Sequence, residues 1–250
     1  MSQTWRPPLL FLLFFTTIAT RGAAAQPAEG GFYPPQQLGA GGGGSWGMLR
    51  LQLPDLDGRL AAMGLDPFPQ WLPVSGGGGV FNVGHFQMGG WGWGGSATSE
   101  ATSGGIDRSA RLDLSPAGVF LGWVKAAGMM KLTLGGTVGM GRFELLLHRE
   151  PTAAPTWAGV WTYYESTFAG SVDASALETS TRLDARFLWL EPSVSLRYWL
   201  VPLVAVDVCA VYSWGRIGAG KLRCEGDKIS DAPALDLSGL GFRVGIFLGF

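Results

Sequence analysis

Five charged side chains lie within stretches of the sequence that alternate between apolar residues and small or polar ones. All five fall on the face opposite the apolar residues: Lys131, Glu191, Arg197, Asp207 and Arg243. Successive side chains of a strand point to opposite faces, so these charges share the non-apolar side of their strands. Because an unpaired buried charge is very costly, such a set predicts a network of ion pairs on an inner face. The alternative chemistry is a constriction that selects solutes.

Metal chemistry has little support. The only imidazoles are His85 and His148, the only thiols are Cys209 and Cys224, and the sequence has no CxxC motif. We therefore predict no metal ligands. An exported protein permits a disulfide between Cys209 and Cys224, and the sequence leaves that pairing open.

Catalytic and cofactor chemistry are also not indicated. Residues 76–95 are glycine-rich, but no helix pattern follows them and they lack the GK[ST] of a phosphate-binding loop. His148 with Ser166 or Ser171 is the one imaginable nucleophile set, and no motif supports it. We predict no enzyme activity, no catalytic residue and no cofactor.

The composition indicates a surface that is not entirely in water. Charged residues make up only 15% of the chain, the formal net charge is -1, and 40 of 250 residues are glycine. Cytosolic domains have about a quarter of their residues charged. Beyond the amino-terminal segment, no stretch is long and apolar enough for a membrane-spanning helix, so strands would have to cross a bilayer. Without a basic cluster, nucleic acid is not an expected partner.

The amino-terminal segment has the pattern of a secretory signal peptide. Arg6 supplies positive charge, residues 9–18 are apolar, and Ala23, Ala24 and Ala25 offer small residues for cleavage before Gln26. We expect export, with residues 1–25 removed.

The next segment, 26–78, is expected to be a Gly/Pro-rich periplasmic lead-in with one short helix. Asp55 is the expected helix cap, and Leu56, Leu60 and Met63 form the apolar stripe. Residues 79–250 would form the folded domain.

Alternating stretches within that domain predict strands. Six are clear, at 80–95, 110–125, 130–148, 183–200, 203–217 and 235–250. Long polar connections (96–108, 149–177 and 218–233) alternate with tight turns (126–128 and 200–202), as they do in antiparallel transmembrane barrels. The apolar phase changes after Gly141, which predicts a bulge near 139–141.

Six strands are too few, because a single-chain transmembrane barrel normally needs at least about eight. We predict about eight, with the missing strands expected at 45–53 or 157–172. The alternative is that several chains share one barrel.

The last stretch, 240–250, carries the most specific pattern. Its apolar face ends on an aromatic residue and consists of Phe242, Val244, Ile246, Leu248 and Phe250. With Gly245 on the other face, this stretch resembles the closing strand of bacterial outer-membrane β-barrels, which the barrel-assembly machinery recognises. In those barrels a polar residue usually precedes the glycine, whereas Val244 occupies that position here.

The chain thus resembles the small eight-stranded outer-membrane proteins of the OmpA, OmpX and OmpW type. The resemblance implies an all-β, antiparallel, up-and-down transmembrane barrel in the bacterial outer membrane, with lipid and the assembly machinery as partners. It implies no ligand, since no binding motif is matched.

The expected function is a structural or surface-interaction role for a barrel with a charged, largely closed interior. The expected state is a monomer, with an oligomer as the alternative, and any surface ligand is unidentified. A narrow porin-like channel and a secreted soluble β-domain are the alternative functions.

Overall fold

A computed structural model describes residues 38–103, 105–151 and 179–249. Its elements are β1 (Leu38–Arg50), α1 (Pro54–Ala62), β2 (Trp71–Val83), β3 (Phe86–Ser103), β4 (Ile106–Ala127), β5 (Met130–Pro151), β6 (Thr179–Val201), β7 (Val204–Ile217), β8 (Arg223–Cys224), β9 (Asp227–Lys228), β10 (Leu235–Asp236) and β11 (Gly239–Gly249). The signal peptide expected at 1–25, the expected assembly residue Phe250, and Ser166 and Ser171 lie outside the described residues.

Eight strands form a closed antiparallel barrel. β1 to β7 pair in chain order, β7 pairs with β11, and β11 pairs with β1 to close the ring. Closure leaves none of these eight strands with an open edge, as a membrane-spanning sheet requires. The predicted fold class and the count of eight strands are confirmed.

The predicted positions of two strands are wrong. The stretch read as one strand at 80–95 is a hairpin, β2 and β3, which turns at Gly84 and His85. The expected lead-in of residues 26–78 contains all of β1, which overlaps the extra strand expected at 45–53, and most of β2. These strands are hard to recognise in the sequence because glycine has no side chain, so a glycine-rich strand lacks the alternation of apolar and polar residues.

Glycine is required on the inner face here because the neighbouring strand, β3, leaves no room for a side chain. A side chain at Gly78 would approach the Trp91 ring to 2.7 Å, and one at Gly76 would approach the Cα and Cβ atoms of Trp93 to 2.6 Å. The sequence of β2 therefore shows little apolar/polar alternation because its inner-face positions must be glycine to fit against β3.

The short helix exists, but its place and its start differ from the prediction. α1 connects β1 to β2 at the end of the barrel opposite both described termini. Pro54 opens the helix and Leu53 precedes it without a side-chain cap, so Asp55 does not cap it. Leu60 is buried in the apolar core, with Leu56 and Met63 packed beside it.

The two ends of the barrel differ in the length of their connections. Tight turns at 84–85, 128–129 and 202–203 share one end with Leu38 and Gly249, and we call this the turn end. The opposite end, the outer end, has the connections containing α1 and β8–β10. Residues 96–108, expected as a loop there, are mostly the paired tips of β3 and β4.

Long strands carry the barrel well past the thickness of a bilayer. β4 and β5 have 22 residues each and β6 has 23, whereas a transmembrane strand needs about 9–11. Pairing of β4 with β5 runs without a shift from Ala127 opposite Met130 to Ile106 opposite Pro151. The bulge expected near 139–141 is therefore absent from this pairing.

The phase change after Gly141 has another cause. Val138 and Met140 are exposed on the outer face, whereas Phe143 and Leu145 are buried on the inner face. The apolar residues change sides because the surroundings of the strand change, not because the pairing slips.

Candidate functional site in the barrel interior

A belt of apolar side chains covers the outside of the barrel toward the turn end. It includes Phe81, Phe86, Val119, Leu121, Val138, Leu188, Leu196, Val208, Phe242, Val244, Ile246 and Leu248, all exposed. On β5 the belt occupies residues 130–140, about the length that crosses a bilayer. Nearer the outer end, Arg142, Arg186 and Arg216 are the outward residues, and all three are exposed. This is the exterior of a transmembrane β-barrel.

The outer part of the barrel interior is an apolar plug. Its residues come from the strands, from α1 and from the β7–β11 connection, and include Leu49, Leu60, Leu72, Leu112, Phe143, Trp189, Ile217 and Leu235. Trp189 stands at the base of the plug, where its Nε1 donates to Ser213 Oγ at 3.0 Å. Packed side chains occupy this part of the lumen, and a cavity of about 560 Å³ lies at the outer mouth beside α1, lined by residues that include Met63, Leu65, Arg108 and Arg149.

Below the plug, Glu191 on β6 forms hydrogen bonds with residues of β3 and β11, two strands that are not paired with β6. Its Oε1 accepts a hydrogen bond from Arg243 Nη2 on β11, and its Oε2 accepts one from Trp93 Nε1 on β3 at 3.0 Å. Glu191 is 1% exposed and Arg243 is 5% exposed. This buried pair therefore ties three sides of the barrel together across the lumen.

Arg197 forms the second ion pair. Its Nη2 and Nε donate to Asp207 Oδ2 at 2.7 and 3.1 Å, across the β6–β7 pairing. The guanidinium carbon lies 3.4 Å above the centroid of the Phe247 ring on β11. Phe247 packs edge-on against Trp199, which narrows the lumen near the turn end.

Lys131 has a neutral partner. Its Nζ donates to Asn82 Oδ1 at 3.0 Å, and Gln87 Nε2 donates to the same oxygen at 2.9 Å. Lys131 also lies directly opposite Arg197 in the β5–β6 pairing. With each group in its usual charged form, three cations face two carboxylates inside the barrel.

The space left between these groups is small. A cavity of about 80 Å³ is lined by residues that include Ser45, Trp91, Thr137, Ser195, Arg197, Asp207, Cys209 and Arg243. That volume has room for one small ion together with a few water molecules. Within the described residues, no group of side chains has the composition of a metal site.

All five charges expected inside the barrel lie on its inner face, in two ion pairs and one lysine–amide contact. Sequence reasoning missed Trp93, Asn82, Gln87 and Ser45. Gln87 and Trp93 share the inner face of β3, and separating β2 from β3 at Gly84–His85 would have revealed that face. Nothing in their spacing, however, indicates contact with β5 or β6.

The cysteines are free thiols in the structure. Cys209 pairs in register with Ser195, and Cys224 pairs with Leu183 on the same strand, β6. Twelve residues of strand separate those two positions, about 40 Å at 3.3 Å per residue, so the thiols are too far apart to bridge.

No protein-family model matches the chain, and no curated protein matches it. No helix among the described residues is long and apolar enough to cross a membrane.

Solved structures give low-level similarities. Ail, the attachment invasion locus protein of Yersinia pestis, in complex with the heparin analogue sucrose octasulfate, is 9% identical with a TM-score of 0.40, covering 86% of this chain and 99% of that one. Ail alone is 8% identical with a TM-score of 0.36, covering 85% and 98%. The outer membrane protease OmpT from Escherichia coli is 10% identical with a TM-score of 0.37, covering 89% and 99%. At these values the similarity carries no information about activity or ligand.

Proposed function

We propose that this protein is a closed barrel of the bacterial outer membrane with a structural or surface-interaction role. The observation that carries the proposal is the change of faces along the strands. Apolar residues point outward across a bilayer's thickness and inward beyond it, where they fill the lumen. A barrel built this way anchors an outer, water-exposed part to the membrane and offers no open path through it.

Location is tested by cell fractionation. The full chain is expected in the outer-membrane fraction, and its unboiled form is expected to migrate differently on SDS gels from its boiled form. Deleting Phe250 should reduce that recovery, because the aromatic ending is the expected assembly signal. Recovery of the full chain as a soluble, detergent-independent protein would contradict the proposal.

A narrow channel for small solutes is the competing function, and conductance separates the two. The purified barrel in planar bilayers is expected to give no steady single-channel current, since the plug and the ion pairs occupy the lumen. Steady openings that disappear when Arg197 or Arg243 is neutralised would favour the channel.

The surface-interaction role rests on what the outer end displays. Residues 149–177, the longest expected outer connection, fall largely outside the described residues, and the tip of β3 is exposed at Thr102 and Ser103. A binding screen against host-cell surfaces, with and without residues 152–178, tests this role. Equal binding by both forms would contradict a role for that segment.

A further inference from the structure

Unpartnered hydrogen-bond donors surround the small cavity in the barrel. Among the described residues, no partner is found for Arg197 Nη1, for Arg243 Nε and Nη1, for Trp91 Nε1 or for Ser45 Oγ. All four residues line the cavity. Buried polar groups are rarely left unsatisfied, so several orphan donors around one space indicate that something accepts from them.

The charges around the cavity indicate what that acceptor is. Arg197 and Arg243 are both more than nine-tenths buried. Lys131, whose hydrogen-bond partner is the neutral Asn82, lies directly opposite Arg197 on the neighbouring strand and adds a third cation to the two ion pairs. An excess positive charge is costly in a region of low dielectric constant unless an opposite charge lies close to it. Water would satisfy the donors but would leave this charge uncompensated.

We propose that the cavity binds one small monovalent anion of the halide class, chloride in the cell, between the guanidinium groups of Arg197 and Arg243. Trp91 and Ser45 complete the donor set from β3 and β1. The volume of about 80 Å³ leaves room for the ion and a few waters. One such water has an acceptor available in Asp207 Oδ1, which also lacks a partner among the described residues.

The proposal does not depend on the role of the barrel in the cell. It requires only the closed lumen. The bound ion would be part of the folded interior, so the barrel should be more stable in chloride than in a salt whose anion is too large to enter.

Crystallography in bromide gives the direct test. The full chain, refolded in sodium bromide and crystallised, is expected to show an anomalous peak in the cavity, in contact with both guanidinium groups. A cavity that holds only water, while bromide sites are visible elsewhere, would overturn the proposal.

Stability in matched salts gives the second test. The chain is refolded from urea in sodium chloride or sodium gluconate at equal ionic strength, and its unfolding temperature is followed by gel migration. Chloride is expected to raise that temperature in a saturable way. Trp91→Phe keeps an aromatic side chain but removes a donor, and should raise the chloride concentration for half-saturation about tenfold.

Trp214→Phe is the matched control, because Trp214 is an exposed belt residue on the outside of the barrel. It should leave the chloride response unchanged. Arg243 is unsuited to this test, since its loss also removes the partner of Glu191. Equal unfolding temperatures of the unaltered protein in chloride and gluconate would overturn the anion site.

Discussion

Replacing Glu191 with Gln is expected to destabilise the barrel by about 3–5 kcal/mol, the usual cost of removing one partner from a buried ion pair. The side chain keeps its size, so the loss is not one of packing. It arises because the guanidinium of Arg243 remains buried without its carboxylate. The free energy of unfolding is measured by urea titration of the protein in lipid vesicles, with tryptophan fluorescence as the signal.

Two further variants show whether charge is the cause. Combining Glu191→Gln with Arg243→Met removes both charges, and this pair should recover part of the loss. Glu144→Gln is the matched control, because Glu144 pairs with Arg142 and Arg182 on the exterior of the outer part. Its cost should be about 1 kcal/mol or less, as for other surface pairs. Equal costs for the two Glu→Gln variants would show that the buried pair adds nothing.

Replacing Val208 with Arg is expected to cost about 2–4 kcal/mol in vesicles, the range for arginine on the lipid side near the middle of a bilayer. Val208 is 52% exposed, and its neighbours in register, Leu196 and Val244, are exposed as well. In water, a charge at such an exposed position would be tolerated. The expected loss therefore comes from lipid, and the same urea titration measures it.

Ser96→Arg is the control for that substitution. Ser96 is also exposed on the outer face of a strand, but it lies on β3 beyond the belt, opposite Asp113. Little change is expected there, because the surroundings are aqueous. If both arginine variants were tolerated equally well, the belt would not be a lipid-facing surface.

Alternation in the sequence was sufficient to predict the fold and the inner face where it was undisturbed. On β6 the two faces can be read directly from the sequence. One face carries Leu188, Leu190 and Leu196, and the other carries Glu191 and Arg197. Prediction failed where side chains were missing. The glycines of β1 and β2 show no period, so the sequence predicts only a candidate strand at 45–53 for β1 and places most of β2 in the lead-in.

The contacts of the site were less predictable than its residues. Glu191 and Trp93 are 98 positions apart and lie on non-adjacent strands, so their contact depends on the diameter of the closed barrel. The change of faces after Gly141 was seen in the sequence but attributed to a bulge. A local pattern does not reveal that the solvent changes from lipid to water along one strand.

The bonds of Glu191 across the lumen also bear on the order in which the chain can assemble. Hairpins such as β2–β3 or β4–β5 can form from neighbouring strands alone, with short loops to close. Glu191 gains its cationic partner only when β11 arrives, and β11 is also the strand that completes the ring with β1. Until then its carboxylate lacks the Arg243 guanidinium as a partner. Hydration of this carboxylate is therefore favourable, and water remains inside an incomplete barrel. Drying of the lumen and closure of the ring are thereby coupled, which makes the final step of assembly cooperative and disfavours a partly closed barrel in the membrane.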